Sequence, residues 1–379
     1  ETATVPTMKV DGQHYRSIWL QDGEQSVSVI DQTLLPFEFR VRQLRTTAQT
    51  IDAIATMVVR GAPLIGATAA CGLFLAAQED PSDEYLKESA SRLLAARPTA
   101  TNLGWALERM LPQLLCEPIT NRVEAARLEA QNICDEDVNI NSQIGTHGLR
   151  LLTERCHLGQ SNEPFNILTH CNAGWLATVD WGTALSPIFK AHDAGMNIHV
   201  WVDETRPRNQ GASLTAWELK AHDIPHTVVV DNAGGHLMQH GQVDACIVGS
   251  DRTTRSGDVC NKIGTYLKAL AAKANDVPFF AAIPSSTIDW AISDGISEIP
   301  IEERAGIEVT HITGVDEKNQ PTRVRLTPEG SQTANPAFDV TPRGYVSGII
   351  TERGVCEASE TALLNLYPEH IQKQQKSQG

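Results

Sequence analysis

"FNILTHCNAGWLATVDWGTAL", residues 165–185, decides how the chain is read. Its first six residues read as a short buried strand. Cys171, Asn172, Ala173 and Gly174 then make a turn, and the residues beyond read as the start of a helix. A strand running through a turn into a helix is the repeating piece of an α/β sheet, and such sheets bind ligands beyond the carboxyl ends of their strands. A thiol there is either a small core residue or a reactive group. A helix N-terminus behind it would draw its pKa from about 8.5 toward neutrality and favour the thiolate.

Working outward, four more apolar runs recur after residue 163: "NIHVWV", "HTVVV", "ACIVG" and "PFFAAI". Helical stretches such as "GASLTAWELKAHD" and "NKIGTYLKALAAKA" separate them, which predicts βαβ units and a parallel sheet. Each run ends in polar residues: Asp203-Glu204-Thr205-Arg206, Asp231-Asn232, Ser250-Asp251-Arg252 and Ser285-Ser286-Thr287. One such ending is an ordinary helix cap. Five on one rim point to a site. A carboxyl at Asp251 in an apolar setting would keep its proton near neutral pH, so Cys171 and Asp251 form a candidate acid–base pair.

Before residue 163 the rhythm differs. "YRSIWLQ" and "SVSVIDQ" alternate as a small antiparallel sheet does, and from about residue 46 to 155 apolar residues recur at helical spacing. The fold expected is α/β: a mostly helical N-terminal domain, 8–150, with a small antiparallel sheet at its start, then a Rossmann-like parallel-sheet domain, 151–368. Anion capture has three candidates at helix starts. Arg60 precedes Gly61, Ala62 and Pro63; Pro63 suits the first turn of a helix, and the free backbone N–H groups of Gly61 and Ala62 beside the guanidinium would suit a phosphate. Arg97 precedes a second helix, and Asn261 with Lys262 is placed at the start of a third.

The 379-residue chain carries a formal charge of −15 and 41% hydrophobic residues, the profile of a globular protein without a cationic field. Nucleic acid and membrane surfaces are therefore not expected partners. No 18 consecutive apolar residues and no secretory leader pattern are visible, and the polar tail 372–379 is expected to fray. Eight scattered cysteines without a CxxC fit a reducing cytoplasm and offer no zinc spacing. Neither GxGxxG nor a P-loop occurs, so no nucleotide is expected.

The segments "RGAPLIG", "RPTATNLGWALERM", "THCNAGWLATVDWGTAL", "VDETRPRNQGASLTAWEL", "VGSDRTTRSGDVCNKIGTY", "IPIEERAGIEVT" and "NPAFDVTPRGYVSGIITERGV" closely resemble the motifs of the methylthioribose-1-phosphate isomerase family, from about residue 8 to 360. That family shares its fold with regulatory subunits of the eukaryotic exchange factor for the second translation initiation factor. The resemblance implies a cofactor-free, metal-free isomerase of a small sugar phosphate, acting in methionine salvage as a homodimer. It implies Asp251 as proton donor and Cys171 as base or transition-state stabiliser. Arg60, Gly61, Ala62, Arg97, Gln210, Asn261 and Lys262 would bind substrate. "TTRSGDVC" and "DNAGGHLM" depart from the family pattern and leave the pocket for the sugar's C5 substituent open. Two other readings are an isomerase of a related sugar 1-phosphate, such as ribose 1,5-bisphosphate or 5-deoxyribose 1-phosphate, and a non-catalytic regulatory subunit.

Overall fold

A computed structural model describes residues 9–21, 25–98, 100–158 and 163–371. The tail 372–379 lies outside them. The N-terminal half opens with a two-stranded pair, Lys9–Val10 with Gln13–His14, and a three-stranded antiparallel sheet, Ile18–Leu20, Val27–Ile30 and Val41–Leu44. The helices Thr47–Ala55, Ala62–Glu79, Asp83–Ala96 and Thr101–Cys116 follow. Ala62–Glu79 is apolar on every side. It is long enough to cross a bilayer, but 83% of it is buried inside the molecule, so it is the central core helix of this half.

One helix ties the halves together. Arg122–Leu158 runs for 37 residues. Ala126, Ala130, Ile133 and Cys134 on its first half pack into the N-terminal core, while Ile144 and Leu152 pack into the core of the C-terminal half. Residues 150 and 151, where a boundary was placed, both lie within this helix.

The C-terminal half is built on a seven-stranded sheet. Its strands lie side by side as Gly354–Cys356, Gly348–Thr351, Phe279–Ala282, Ala245–Val248, Phe165–Thr169, Ile198–Asp203 and His226–Val229. All pairings are parallel except that of the first two. Numbered along the chain, the parallel strands fall in the order 3-2-1-4-5-6, the order of a doubly wound Rossmann sheet. Ala245–Val248 and Phe279–Ala282 are buried along their whole length, as unbroken apolar runs in a covered parallel sheet should be.

Two features of the sheet were not legible in the apolar runs. "HTVVV" forms the edge strand His226–Val229, and Val228 within it is exposed. The sixth parallel strand, Gly348–Thr351, went unread, because "GIIT" is short and carries a glycine. A second, four-stranded sheet, Ile288–Asp289, Arg252–Thr254, Val259–Lys262 and Phe338–Thr341, stands beside the rim.

Candidate active site

The strand order changes direction between Phe165–Thr169 and Ala245–Val248, and ligands of doubly wound sheets bind at that point. Cys171 leaves the first of these strands and Asp251 the second. The two turns lie against each other: a Cβ on Gly249 would come within 2.7 Å of the Ala173 side chain. The glycine thus lets Ser250 and Asp251 sit beside the Cys171 turn. Asp251 is anchored by its own N–H, which donates to the Cys260 carbonyl at 2.9 Å, and the short strand Arg252–Thr254 begins directly after it.

Cys171 is buried, and its φ of +66° is left-handed, uncommon for a side-chain-bearing residue. Two threonines hold it there. Thr205 Oγ1 accepts the Cys171 N–H at 2.8 Å, and the Thr215 hydroxyl donates to its carbonyl at 2.7 Å. No helix begins at this turn. A short 3₁₀ turn, Trp175–Ala177, comes next, and the helix Leu185–Asp193 starts a turn later. The expected pKa lowering by a helix N-terminus is therefore overturned: burial pushes the Cys171 thiol up, while Arg60 and Lys262 pull it part of the way back. Burial also raises Asp251, against the pull of Lys262, Arg60 and Arg97. The expectation that Asp251 retains a proton agrees with this direction.

Arg60 comes from the other half of the molecule. Its guanidinium donates to Asn172 Oδ1 at 2.5 Å and to the Asn172 carbonyl at 2.7 Å. Gly61 has φ +97° and caps the helix Ala62–Glu79; a Cβ there would lie 2.5 Å from the Ala177 backbone, so the helix start docks directly on the Cys171 turn. Arg97 pairs with Glu302 at 3.1 Å, and its Nε is buried without a partner. It lines a small void with Ala62 and Asp251. Gln210 is buried, its Oε1 has no partner, and it shares a cleft of about 700 Å³ with Arg60. A buried acceptor left unpaired is costly, which suits a ligand hydroxyl or amine.

Asn261 and Lys262 are not at a helix start. They end the strand Val259–Lys262 of the second sheet, and the helix begins at Thr265. Asn261 Nδ2 donates to Thr265 Oγ1 at 3.0 Å. The Lys262 ammonium lies over the Phe338 ring at 4.6 Å and makes no ion pair among the described residues. Burial lowers its pKa, and the neighbouring Cys171 and Asp251 raise it. Arg60, Lys262 and Asp251 thus act on the Cys171 thiol, and Lys262, Arg60 and Arg97 on the Asp251 carboxyl. The departing segments lie to the side: Arg255 pairs with Glu360 at 3.4 Å, and "DNAGGHLM" supplies the short helix Ala233–Gln239.

A supporting layer was not foreseen. His170 faces Asp203 through Nδ1 and the Ile263 carbonyl through Nε2, both at 2.8 Å. The Lys268 ammonium pairs with Asp203 at 3.0 Å, and Asp231 accepts the Thr205 and Arg206 N–H groups at 2.7 Å. His170, Asp203 and Asp231 are the one cluster among the described residues spaced for a metal ion. Lys268 already supplies the positive charge there, so these side chains form a closed ion network that braces the strand ends. Glu218 was missed as well. It is 1% exposed and accepts from Asn172 Nδ2 at 2.8 Å, from Trp175 N at 2.9 Å and from Leu176 N at 3.2 Å.

Burial raises the Glu218 carboxyl to about 7, with those donors and Arg60 opposing. Its unfolded value is near 4.3, so the native state holds the extra proton between those pH values, and stability falls as pH rises through that window and levels off above it. At 1.36 kcal/mol per pKa unit the whole effect is on the order of 3 kcal/mol. Thermal unfolding from pH 5 to 8 should show a Tm that declines in the native protein and declines less in Glu218→Gln. Parallel declines would refute the assignment.

The model of the initiation factor 2 subunit family matches residues 58–358. The chain belongs to that family. It is 61% identical over 362 residues to the methylthioribose-1-phosphate isomerase of Methylobacterium nodulans, covering 96% of this chain and 99% of that one. The same-named protein of Acidiphilium cryptum is 60% identical, covering 96% and 98%. Among solved structures, 5-methylthioribose 1-phosphate isomerase from Pyrococcus horikoshii OT3 superposes with a TM-score of 0.81 at 38% identity, covering 97% of this chain and 99% of that one. The delta subunit of translation initiation factor eIF-2B from A. fulgidus gives 0.76 at 39%, covering 93% and 99%.

Proposed function

We propose that this protein is an aldose–ketose isomerase that converts 5-methylthio-α-D-ribose 1-phosphate to 5-methylthio-D-ribulose 1-phosphate in methionine salvage. The observation that carries the reading is the meeting of a buried thiol and a carboxyl at the switch point, ringed by Arg60, Arg97 and Lys262. The anomeric oxygen of this substrate carries phosphate, so the ring cannot open by simple loss of a proton. An acid must protonate the ring oxygen as the C1–O4 bond breaks. Asp251, whose proton affinity burial raises, is the group we assign to supply that proton, and the cations together with the helix start at Gly61 and Ala62 hold the phosphate.

Hydrogen then moves from C2 to C1. A base takes it from C2 as a proton and returns it to C1, or it shifts as hydride to the electron-poor C1 while the C2 hydroxyl gives up its proton. The raised pKa of Cys171 disfavours a standing thiolate, and the buried Trp175, Leu176 and Ala177 beside it, with the half-buried Ala173, limit water. Turnover in deuterated water should therefore place little deuterium at C1 of the product, read by proton NMR. Substantial incorporation in a single forward turnover would rule out the pure hydride route and make Cys171 the leading base.

The assay that tests the function is turnover of methylthioribose 1-phosphate beside ribose 1,5-bisphosphate and 5-deoxyribose 1-phosphate. Preference for either alternative would reassign the substrate, and no turnover of any would favour a regulatory subunit. A cytoplasmic homodimer belongs to the same reading. The free state of the seven described cysteines supports the reducing compartment, and sedimentation of the purified protein tests the dimer.

A further inference from the structure

We propose that Glu218 is a positioning residue: its buried carboxylate sets the orientation of the Asn172 amide, and Asn172 in turn holds the Arg60 guanidinium at the cleft beside Cys171. The inference rests on the reading of Arg60 as a phosphate ligand. Three elements far apart in sequence meet here: the loop before the helix Ala62–Glu79, the turn after the strand Phe165–Thr169, and the helix Ala216–Ala221.

The argument is one of donors and acceptors. Asn172 presents Nδ2 to Glu218 Oε1 at 2.8 Å and to Thr215 Oγ1 at 3.2 Å. The Thr215 proton is already committed to the Cys171 carbonyl, so both partners of Nδ2 act as acceptors. Asn172 Oδ1 must then face the other way, toward Arg60, and it accepts from that guanidinium at 2.5 Å. With the amide turned over, an NH₂ would face the guanidinium and an oxygen would face the carboxylate; both contacts repel. Glu218 is thus what keeps the Asn172 side-chain acceptor in front of Arg60, beside the Asn172 carbonyl that also accepts from it at 2.7 Å.

Glutamine cannot replace it. The Trp175 N–H goes to one carboxylate oxygen, while Leu176 N–H and Asn172 Nδ2 go to the other. An amide nitrogen on either side meets a donor. Where it meets Asn172, the amide turns and Arg60 loses its side-chain acceptor, keeping only the Asn172 carbonyl.

The test is a double-mutant cycle at pH 8, above the value of about 7 to which burial raises Glu218, so that it is ionised; inorganic phosphate is the probe, titrated calorimetrically into the native protein, Arg60→Ala, Glu218→Gln and the double variant. Each single variant should bind phosphate about tenfold more weakly, the scale of one charge-assisted contact. The double variant should bind within about twofold of Arg60→Ala, because Glu218 acts through Arg60. In turnover, Glu218→Gln should raise KM more than it lowers kcat. Asn172→Ala cuts the link but leaves both backbone bonds to Glu218, so it serves in the same cycle if Glu218→Gln does not fold. Losses that multiply, or native phosphate affinity in Glu218→Gln, would overturn the role of Glu218 alone. Native affinity in Arg60→Ala would overturn the phosphate reading of Arg60 and this inference with it.

Discussion

Cys171→Ser and Asp251→Asn should each lower kcat by at least about a hundredfold, the scale of a lost acid–base group, while circular dichroism and Tm should stay close to native. Both substitutions keep shape and hydrogen-bonding capacity. Serine keeps the backbone bonds to Thr205 and from Thr215 that hold position 171, and asparagine keeps the N–H bond to Cys260 that anchors position 251. What is lost is chemical: a hydroxyl is a far weaker acid than a thiol, and an amide has no proton to give to a ring oxygen. Single-turnover rates on the purified variants decide the matter. A near-native rate in either one removes that residue from the catalytic pair.

Arg60→Ala and Arg97→Ala weaken substrate binding by roughly 10- to 100-fold, as expected for a charge-assisted phosphate contact worth about 1.5–3 kcal/mol. Arg109→Ala is the control. Its guanidinium is engaged by Glu129 at 2.6 Å and Glu136 at 2.5 Å, on the face of the helix Thr101–Cys116 that meets the long helix. Arg60 should show the larger effect of the two. Arg97 is already paired with Glu302, so phosphate must compete with that carboxylate for it. Equal KM and equal inhibition by inorganic phosphate across all three variants would reject the cradle.

Much of this was legible in the residues. Short apolar runs alternating with helical ones can be satisfied only by a covered parallel sheet, and a polar residue after each run marks the rim where ligands bind. Cys171, Asp251, Arg60, Arg97 and Lys262 were all within reach of that reading, because each stands at the end of a strand or beside the start of a helix; Gln210 came only from the family resemblance. Asn261 and Lys262 were found as residues but given the wrong element. Four residues of strand between a turn and a helix carry too little periodicity to separate the two.

Glu218, Lys268 and His170 were not legible as a group. A glutamate in "TAWELKA" and a lysine in "TYLKALA" look like the solvent side of ordinary helices, and nothing local says that each is buried under the rim. The state of Cys171 was also beyond the sequence. The spacing suggested a helix start that would lower its pKa; packing from both halves instead removed water from the thiol, and desolvation raised it. Local pattern alone determined which elements form and which side chains stand at their ends, because backbone geometry has only two short periods. Which of those ends meet, and with how much water, was decided by the strand order and by the docking of Gly61 on Ala177, because proton affinity depends on neighbours that sequence distance does not reveal.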